Sequence, residues 1–338
     1  MIPSLFSWEV DKMTQPYNRF NTSERYKYVC DYNKILLKDF ELQLQSEGKS
    51  EKTIKVYMHN IKVLFVYILQ ELENEPICNL KKKQFRNYVL WLQGLGLGSA
   101  RINNLKSAAS SMLNFACDDE DYEEDLDINY IGKLKPLAKE KRREIIFLSN
   151  SQVEMIYDKL MEREDYRNAL LISLSYESLA RRNEIYQIKR SWINLNSNVS
   201  KEKVKGKRAK IFPIFYFDKT KVAYEKYMKQ RTDDNEDLWV DKNGRSISYD
   251  ALYSIVVECR KLLEKEIGEY IPFNHHSFRH SGAENYNKGE HWACKGRKFA
   301  LEELQALMNH SDISTTQTYL KSREVDIIMS AFNIDKNN

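Results

Sequence analysis

The chain has 338 residues, 42% of them hydrophobic and 30% charged, with a formal net charge of +4. These values are typical of a globular protein of about two domains and exclude a disordered chain. No segment supplies the ~20 apolar residues of a membrane span, and the start, "MIPSLFSWEVDK", lacks the features of a signal peptide, so we expect a cytoplasmic protein without a membrane partner.

The first half of the chain predicts a helical unit. After a lead of residues 1–30, one helix is expected near 31–47 and a second after Ser50, whose side chain is a plausible helix cap. A third helix is expected over 80–93, ended by "GLGLG", and a fourth begins at Ser99. Residues 31–130 therefore predict a compact four-helix domain.

Charge is distributed unevenly in the middle of the chain. Residues 118–127, "DDEDYEEDLD", contain eight acids, whereas "KLKPLAKEKRRE" soon afterwards contains six Lys and Arg residues, and "KVKGKRAK" at 203–210 contains five. Basic segments of this kind either neutralise phosphates or are simply solvated. We interpret residues 131–147 as a basic linker between two domains.

A second domain is predicted over residues 148–318. Ser149 and Gln152 have the spacing of a capping box, and helices are expected to continue to about Ile188. Residues 196–216 predict a β-hairpin around a glycine turn, and helical patterns return from Tyr249 onwards. The expected fold class is thus mainly α, with a small antiparallel sheet in the second domain.

The sequence gives little support for a metal site or for disulfide bonds. The five cysteines are scattered and form no C-x-x-C pair, which argues against a disulfide framework or a cysteine zinc site. His276 and His280 could share a helix face, but Ser277 stands where a metalloprotease has its glutamate, and no third ligand lies nearby in sequence. We therefore expect no metal and no cofactor.

Arginines provide a better candidate site, one that binds an anion. Arg279 lies one helical turn from His276, so both side chains could reach one phosphate. Arg181 and Arg182 precede Glu184 at the end of an apolar segment. Arg181 could form a structural ion pair with Glu184 or point into a cleft, and the spacing to Glu184 favours Arg181 over Arg182 as the site residue.

Six positions in order resemble the tyrosine recombinase (phage integrase) family. They comprise an arginine followed by a glutamate, a hairpin lysine, an H-x-x-R motif, and "LMNHSDISTTQTY" near the end. In this chain they are Arg181, Lys205, His276, Arg279, His310 and Tyr319, with Glu184 in support. The resemblance spans roughly residues 30–333, because the N-terminal unit resembles the core-DNA-binding domain of the family.

The resemblance implies site-specific DNA recombination through a covalent 3′-phosphotyrosine, without metal or ATP. Tyr319 would be the nucleophile, the two arginines would hold the phosphoryl oxygens, and Lys205 would protonate the leaving 5′-oxygen. His276 would transfer a proton at the nucleophile and His310 would donate to a phosphoryl oxygen.

The sequence departs from the family pattern at two positions that are usually glycine, Leu179 and Asn309, which we interpret as local packing changes. The segment 286–303 is longer than in many relatives, and Lys295, Arg297 and Lys298 within it contact DNA or are solvated. The tail 319–338 carries an apolar stripe, which folds back on its own domain or docks on a neighbouring subunit, as the family implies.

Double-stranded DNA is the expected partner, bound by a homotetramer that is a monomer or weak oligomer when free, with a DNA-bending protein as a possible accessory. The candidate DNA contacts are Lys81, Lys82, Lys83, Arg101, Lys106, Lys139, Arg142, Lys207 and Arg208. Integration, excision or transposition of a mobile element is the expected setting. Two alternatives remain open: a non-catalytic DNA-binding regulator on this scaffold, and an enzyme resembling telomere resolvases or type IB topoisomerases.

Overall fold

A computed structural model describes residue 20 and residues 22–138, 145–207, 210–310 and 313–317. The chain divides into two compact units between Arg143 and Glu144. The described residues are mainly helical and include a single two-stranded antiparallel sheet. Over the same residues, no helix is long and apolar enough to cross a membrane.

The first unit is built from four long helices, as predicted, and one short helix that precedes them. Its helices are α1 (Thr22–Arg25), α2 (Asp31–Ser46), α3 (Glu51–Glu71), α4 (Lys82–Gly94) and α5 (Ser99–Asp118). Ser50 caps α3 by accepting a hydrogen bond from the Thr53 amide. Fully buried residues such as Ile61, Phe65 and Leu105 line the faces where α3 packs against α5 and α2.

The beginning of the predicted linker packs on the first unit. Ile131 is buried in its core. Asn103 of α5 donates from Nδ2 to the Leu137 carbonyl and accepts at Oδ1 from the Leu137 amide. The ammonium of Lys106 donates to the carbonyls of Leu134 and Lys135. Residues 131–138 are therefore held by α5 rather than extended.

The second unit carries the sheet and the remaining helices. Its helices are α6 (Asn150–Glu162), α7 (Tyr166–Ser178), α8 (Arg182–Tyr186), α9 (Asp218–Gln230), α10 (Ala251–Ile267), α11 (His275–Lys288), α12 (Leu301–Leu307) and α13 (Ile313–Gln317). The predicted capping box is confirmed, because Ser149 accepts from the Gln152 amide and Gln152 accepts from the Ser149 amide. Buried α7 packs against α6, α9 and α11 and forms the centre of this unit.

The predicted hairpin is present as β1 (Val199–Lys205) and β2 (Ile211–Phe215). Lys203 pairs with Pro213 and Lys205 with Ile211, and the register shifts between Val199 and Lys203. At that irregularity the Ser200 hydroxyl accepts from the Ile214 amide, which would otherwise lack a ladder partner. The hairpin thus keeps Val204 and Ile214 buried while its lysines face outwards.

Candidate active site

Arg181 lies at the junction of α7 and α8 and is held by Glu184. The Glu184 carboxylate accepts from the Arg181 amide (2.7 Å) and from Arg181 Nη1 (3.0 Å). Glu184 is buried, whereas 28% of the Arg181 side chain is exposed. Arg181 can therefore form the ion pair with Glu184 and still face a cleft, although the two were proposed as alternatives. Glu184 holds only Nη1 of the guanidinium, and the side chain is partly exposed.

The neighbouring Arg182 points to a different place. Its guanidinium lies 4.0 Å from the ring centroid of Tyr249 and 3.9 Å from the Asp250 carboxylate. A guanidinium stacked on an aromatic ring is favourable but fixed in orientation. This geometry favours Arg181 as the residue that faces the candidate site.

Arg279 is the most deeply buried charged group of the candidate site. It lies on α11, whose first turn is capped by Asn274, and its side chain is about 1% exposed. Nη1 donates to the carbonyl of Leu179 and Nη2 to the carbonyl of Met308 (3.0 Å). Arg279 therefore joins the end of α7 to the end of α12.

The two carbonyls that hold Arg279 lie at or next to residues with a left-handed backbone conformation: one belongs to Leu179 and the other precedes Asn309. Leu179 has φ 54° and Asn309 has φ 53°, a region that glycine adopts without cost and other residues rarely adopt. These are the two positions where the family pattern has glycine. Leu179 and Asn309 therefore replace glycine while the backbone keeps the left-handed conformation that glycine favours. This backbone requirement is the physical reason for a local change in packing at both positions.

His310 connects Arg279 to the last described helix. Arg279 Nη2 lies 2.6 Å from His310 Nε2, and His310 Nδ1 lies 2.9 Å from Thr316 Oγ1. Because a guanidinium can only donate, Nε2 of the neutral ring accepts and Nδ1 carries the proton. Burial lowers the His310 pKa to about 3, with further contributions from Arg279, Arg181, Lys210 and His276.

In this arrangement both ring nitrogens of His310 are engaged by protein groups. To donate to a phosphoryl oxygen, as predicted, Nε2 of His310 would have to carry a proton and release the hydrogen bond that it accepts from Arg279. No finding tests that role, and it stays a prediction.

His276 lies on the exposed side of the same helix. Desolvation, together with the nearby His280, Arg279 and Arg181, lowers the pKa of His276 to about 4. The ring is neutral at physiological pH, as a proton acceptor must be. His280 is buried, with its ring centroid 4.8 Å from that of His276.

The described residues contain no group of three His, Cys, Asp or Glu side chains placed to hold a metal ion.

The hairpin approaches this site through its turn. Gln187 accepts from the Lys205 amide and donates to the Lys205 carbonyl, and a Cβ at Gly206 would lie 3.1 Å from Glu184 Oε1. The side chains of Lys205 and Lys207 are exposed. Lys210, which the sequence did not single out as a site residue, donates from Nζ to the Asn309 carbonyl (3.3 Å) beside His310.

The long segment after α11 packs behind the site. His291 is sandwiched between Tyr286 (3.7 Å between centroids, 8° between planes) and Tyr176 (4.1 Å, 19°). Trp292 Nε1 donates to the Glu177 carboxylate (2.8 Å), which also accepts from the Phe217 amide. This segment therefore buttresses the end of α7, four residues before Arg181, and in the same segment Arg297 pairs with Glu303.

The five predicted DNA contacts that are described in the first unit separate into three groups. Lys81, Lys82 and Lys83 are exposed at the start of α4, whereas Lys106 is 6% exposed and already bonded to two carbonyls. Arg101 donates to Asn60 Oδ1 (2.6 Å) and lines a cavity of about 450 Å³. The residues that complete this cavity are Glu51, Lys52, Lys55, Val56 and His59.

Four predicted site residues, and the tail that contains one of them, lie outside the described residues: Tyr319, Lys139, Arg142, Arg208 and segment 319–338.

Comparison with known proteins gives consistent relatives. A tyrosine recombinase XerD of Halalkalibacterium halodurans is 24% identical over 300 residues, covering 85% of this chain and 92% of that protein. An SPbeta prophage-derived recombinase-like protein of Bacillus subtilis, YomM, is 22% identical over 333 residues, covering 90% and 92%. The match therefore extends over both units in each case.

Solved structures share the fold. A lambda integrase tetramer bound to a Holliday junction superposes with a TM-score of 0.66 at 18% identity, covering 86% of this chain and 77% of that chain. The Tn1549 transposon integrase with circular intermediate DNA also gives 0.66, at 16% identity, covering 88% and 98%. The predicted fold class is confirmed.

The family model described as "Phage integrase family" matches residues 146–325, more than half of the 338-residue chain. The chain belongs to the phage integrase family of tyrosine recombinases, and it is an enzyme of site-specific recombination.

Proposed function

We propose that this recombinase cleaves and rejoins duplex DNA through a covalent bond between Tyr319 and a 3′-phosphate. The observation that carries this proposal is the convergence of Arg181, Arg279, His276 and His310. Arg279 contacts His310 directly, and both arginines lie near enough to His276 and His310 to lower their pKa values. Two guanidiniums placed beside two neutral imidazoles suit a phosphodiester whose charge increases as it is attacked.

The proposed reaction exchanges one phosphate ester for another. The Tyr319 oxygen forms a bond to phosphorus, and the bond from phosphorus to the 5′-oxygen breaks. His276, neutral at physiological pH, accepts the tyrosine proton, and Lys205 gives a proton to the leaving 5′-oxygen. Reversal by another 5′-hydroxyl rejoins the strand, so the cycle needs no oxidant, reductant or ATP.

Arg181 and Arg279 would hold the phosphoryl oxygens, and Glu184 keeps Arg181 in place through its amide and Nη1. His310 would support the same oxygens through Arg279, whose guanidinium its Nε2 holds. We add Lys210 to this set as a phosphate-neutralising cation, because its ammonium lies at the residue that precedes His310.

For the first unit we propose a DNA-binding face around the cavity lined by α3 and α5. Lys52, Lys55 and Arg101 provide positive charge there, and Val56, 51% exposed, offers an apolar contact between them. Exposed Lys81, Lys82 and Lys83 at the start of α4 are further proposed DNA contacts of this unit. Exposed Lys207 is a separate proposed contact of the second unit. We do not propose a DNA contact for Lys106, whose ammonium is buried.

We further propose the assembly and setting that the relatives suggest. A homotetramer would act on paired DNA sites in the cytoplasm, from a monomer or weak oligomer, with a DNA-bending protein as a possible accessory. Movement of a mobile element is the proposed role. The proposed domains are residues 31–130 and 148–318, joined by 131–147 and followed by the nucleophile segment 319–338.

The test is covalent capture. The full chain selects its binding sequence from a pool of random duplexes, and a nick is then stepped along that sequence so that cleavage releases a short fragment. We expect a protein–DNA adduct that survives denaturation and is absent in Tyr319→Phe. Salt-sensitive binding without an adduct at any nick position would favour a non-catalytic regulator, and an equal adduct in Tyr319→Phe would refute the nucleophile.

A further inference from the structure

We propose that Thr316 is a positioning residue: its hydroxyl accepts from Nδ1–H of His310 and so supports the tautomer of His310 that holds Arg279 in place. Thr316 is fully buried in α13, three residues before Tyr319, and its Oγ1 lies 2.9 Å from His310 Nδ1. The inference rests on the proposed function, because Arg279 is the group proposed to bind phosphate.

The Arg279 contact selects one tautomer of His310, because a guanidinium can only donate. With Nδ1 protonated, His310 donates to Thr316 and accepts from Arg279 at Nε2 (2.6 Å). With Nε2 protonated, two donors would face each other across the Arg279 contact. A threonine hydroxyl can donate or accept, so Thr316 does not choose the tautomer. It supplies the acceptor that the buried Nδ1–H needs in the tautomer that Arg279 requires.

The chain of contacts continues to the backbone. Arg279 donates to the carbonyls of Leu179 and Met308, so its guanidinium is held between α7 and α12. Loss of the Thr316 hydroxyl leaves a buried Nδ1–H without that acceptor, which is unfavourable, and the alternative tautomer repels Arg279. Either response displaces the guanidinium that is proposed to bind phosphate.

The contact between Thr316 and His310 requires a hydroxyl. A methyl group of equal size does not provide an acceptor for Nδ1–H.

The experiment compares Thr316→Val, which keeps the shape, with Thr316→Ser, which keeps the hydroxyl. On the nicked duplexes described above, we expect Thr316→Val to slow adduct formation about ten-fold at saturating DNA, with unchanged DNA affinity, and Thr316→Ser to stay within about three-fold of wild type. Ser173→Ala, which removes another buried hydroxyl from α7, is the matched control and should react at the wild-type rate.

A second measurement needs no DNA. Nitrogen-15 spectra of histidine-labelled protein report the tautomer of each of the six histidines, and His310→Asn identifies the His310 signals. We expect the Nδ1–H tautomer in wild type and Thr316→Ser, and a mixed or Nε2–H signal in Thr316→Val.

The inference is wrong if wild-type His310 is protonated on Nε2, if Thr316→Val reacts as fast as wild type, or if Thr316→Ser is as slow as Thr316→Val. Absence of any adduct with wild type would instead refute the proposed function, and the tautomer spectra would still decide the inference. Should Thr316→Val fail to fold, the wild-type tautomer and the rate of Thr316→Ser remain decisive.

Discussion

Leu179 packs directly against Gly282 of α11: a Cβ atom at position 282 would overlap Leu179 Cδ2 and come within 2.7 Å of the Tyr176 carbonyl oxygen. Leu179 is fully buried although its φ is 54°. A left-handed leucine costs roughly 1–2 kcal/mol, and burial of its side chain offsets that cost by about 1.5–3 kcal/mol. The contact with Gly282 therefore supports the backbone turn whose carbonyl holds Arg279.

Gly282→Ala is expected to destabilise the protein by about 1–3 kcal/mol, because the added methyl group has no space. In a typical helix interior the same change stabilises by about 1 kcal/mol. Urea unfolding measures the difference. Gly94→Ala in α4 is the control, since a Cβ there meets nothing within 4 Å, and a Gly282→Ala protein as stable as wild type would contradict the packing described.

At position 179, glycine is expected to be at least as stable as alanine. Both variants lose the buried leucine side chain, but alanine keeps the left-handed cost of about 1–2 kcal/mol and regains only about 0.8 kcal/mol for its methyl group. Most buried leucines show the opposite order. Thermal unfolding of Leu179→Gly and Leu179→Ala compares them, and alanine more stable by 1 kcal/mol would mean that the left-handed backbone is not retained.

Buried histidines should make the second unit acid-sensitive. Burial lowers the pKa of His275 and of His291 to about 3, below the unfolded value of about 6.5. The unfolded state therefore binds more protons between these values, so stability is complete above pH 6.5 and falls as the pH decreases towards 3.

His291→Phe tests this in one place, because phenylalanine preserves the stack between Tyr176 and Tyr286 but cannot be protonated. We expect the variant to be less stable than wild type at pH 7, where the Ala293 amide loses its acceptor, and the deficit to shrink at pH 5. Urea unfolding at both pH values measures it. A deficit that is constant or larger at pH 5 would contradict a neutral, buried His291.

The lysines on the proposed DNA-binding face should strengthen DNA binding by neutralising backbone phosphates. Lys52→Ala and Lys55→Ala are each expected to weaken binding to random duplex DNA and to reduce the salt dependence by about one counterion. Lys38→Ala on α2 is a control with another exposed lysine. Fluorescence anisotropy over a range of salt concentrations measures both effects, and equal losses in all three variants would place the DNA elsewhere.

Lys106 on α5 is expected to contribute to stability and not to DNA binding, unlike Lys52 and Lys55. Lys106→Met should lower stability, since the Leu134 and Lys135 carbonyls lose their donor, and should leave the salt dependence of binding unchanged. A reduced salt dependence in a folded Lys106→Met protein would restore this lysine as a phosphate contact.

Much of the fold followed from local sequence signals, because caps and apolar periodicity act over a few residues. Ser50, the Ser149–Gln152 box and the hairpin were all predicted and are present. Helix α9 was not singled out, since "DKTKVAYEKYMKQ" buries only Thr220, Ala223 and Tyr227 and shows a weak apolar stripe.

The candidate site was predicted from order and spacing, but its internal bonds were not. The Leu179 and Met308 carbonyls hold Arg279 through contacts about 100 and 29 residues apart in sequence, and no local pattern reports a main-chain oxygen as a partner. Thr316 was present in "STTQT" and Lys210 in the basic hairpin, yet the sequence offered no reason to separate either from its neighbours.

The most direct test of the central claim is to find the atom that carries the DNA. The adduct formed on the nicked duplexes is digested with nuclease and trypsin and analysed by mass spectrometry. We predict that a 3′-linked nucleotide is attached to the peptide of residues 299–321, at Tyr319, which is the only tyrosine in that peptide. A nucleotide attached to any other residue, or a 5′-linked one, would contradict the account.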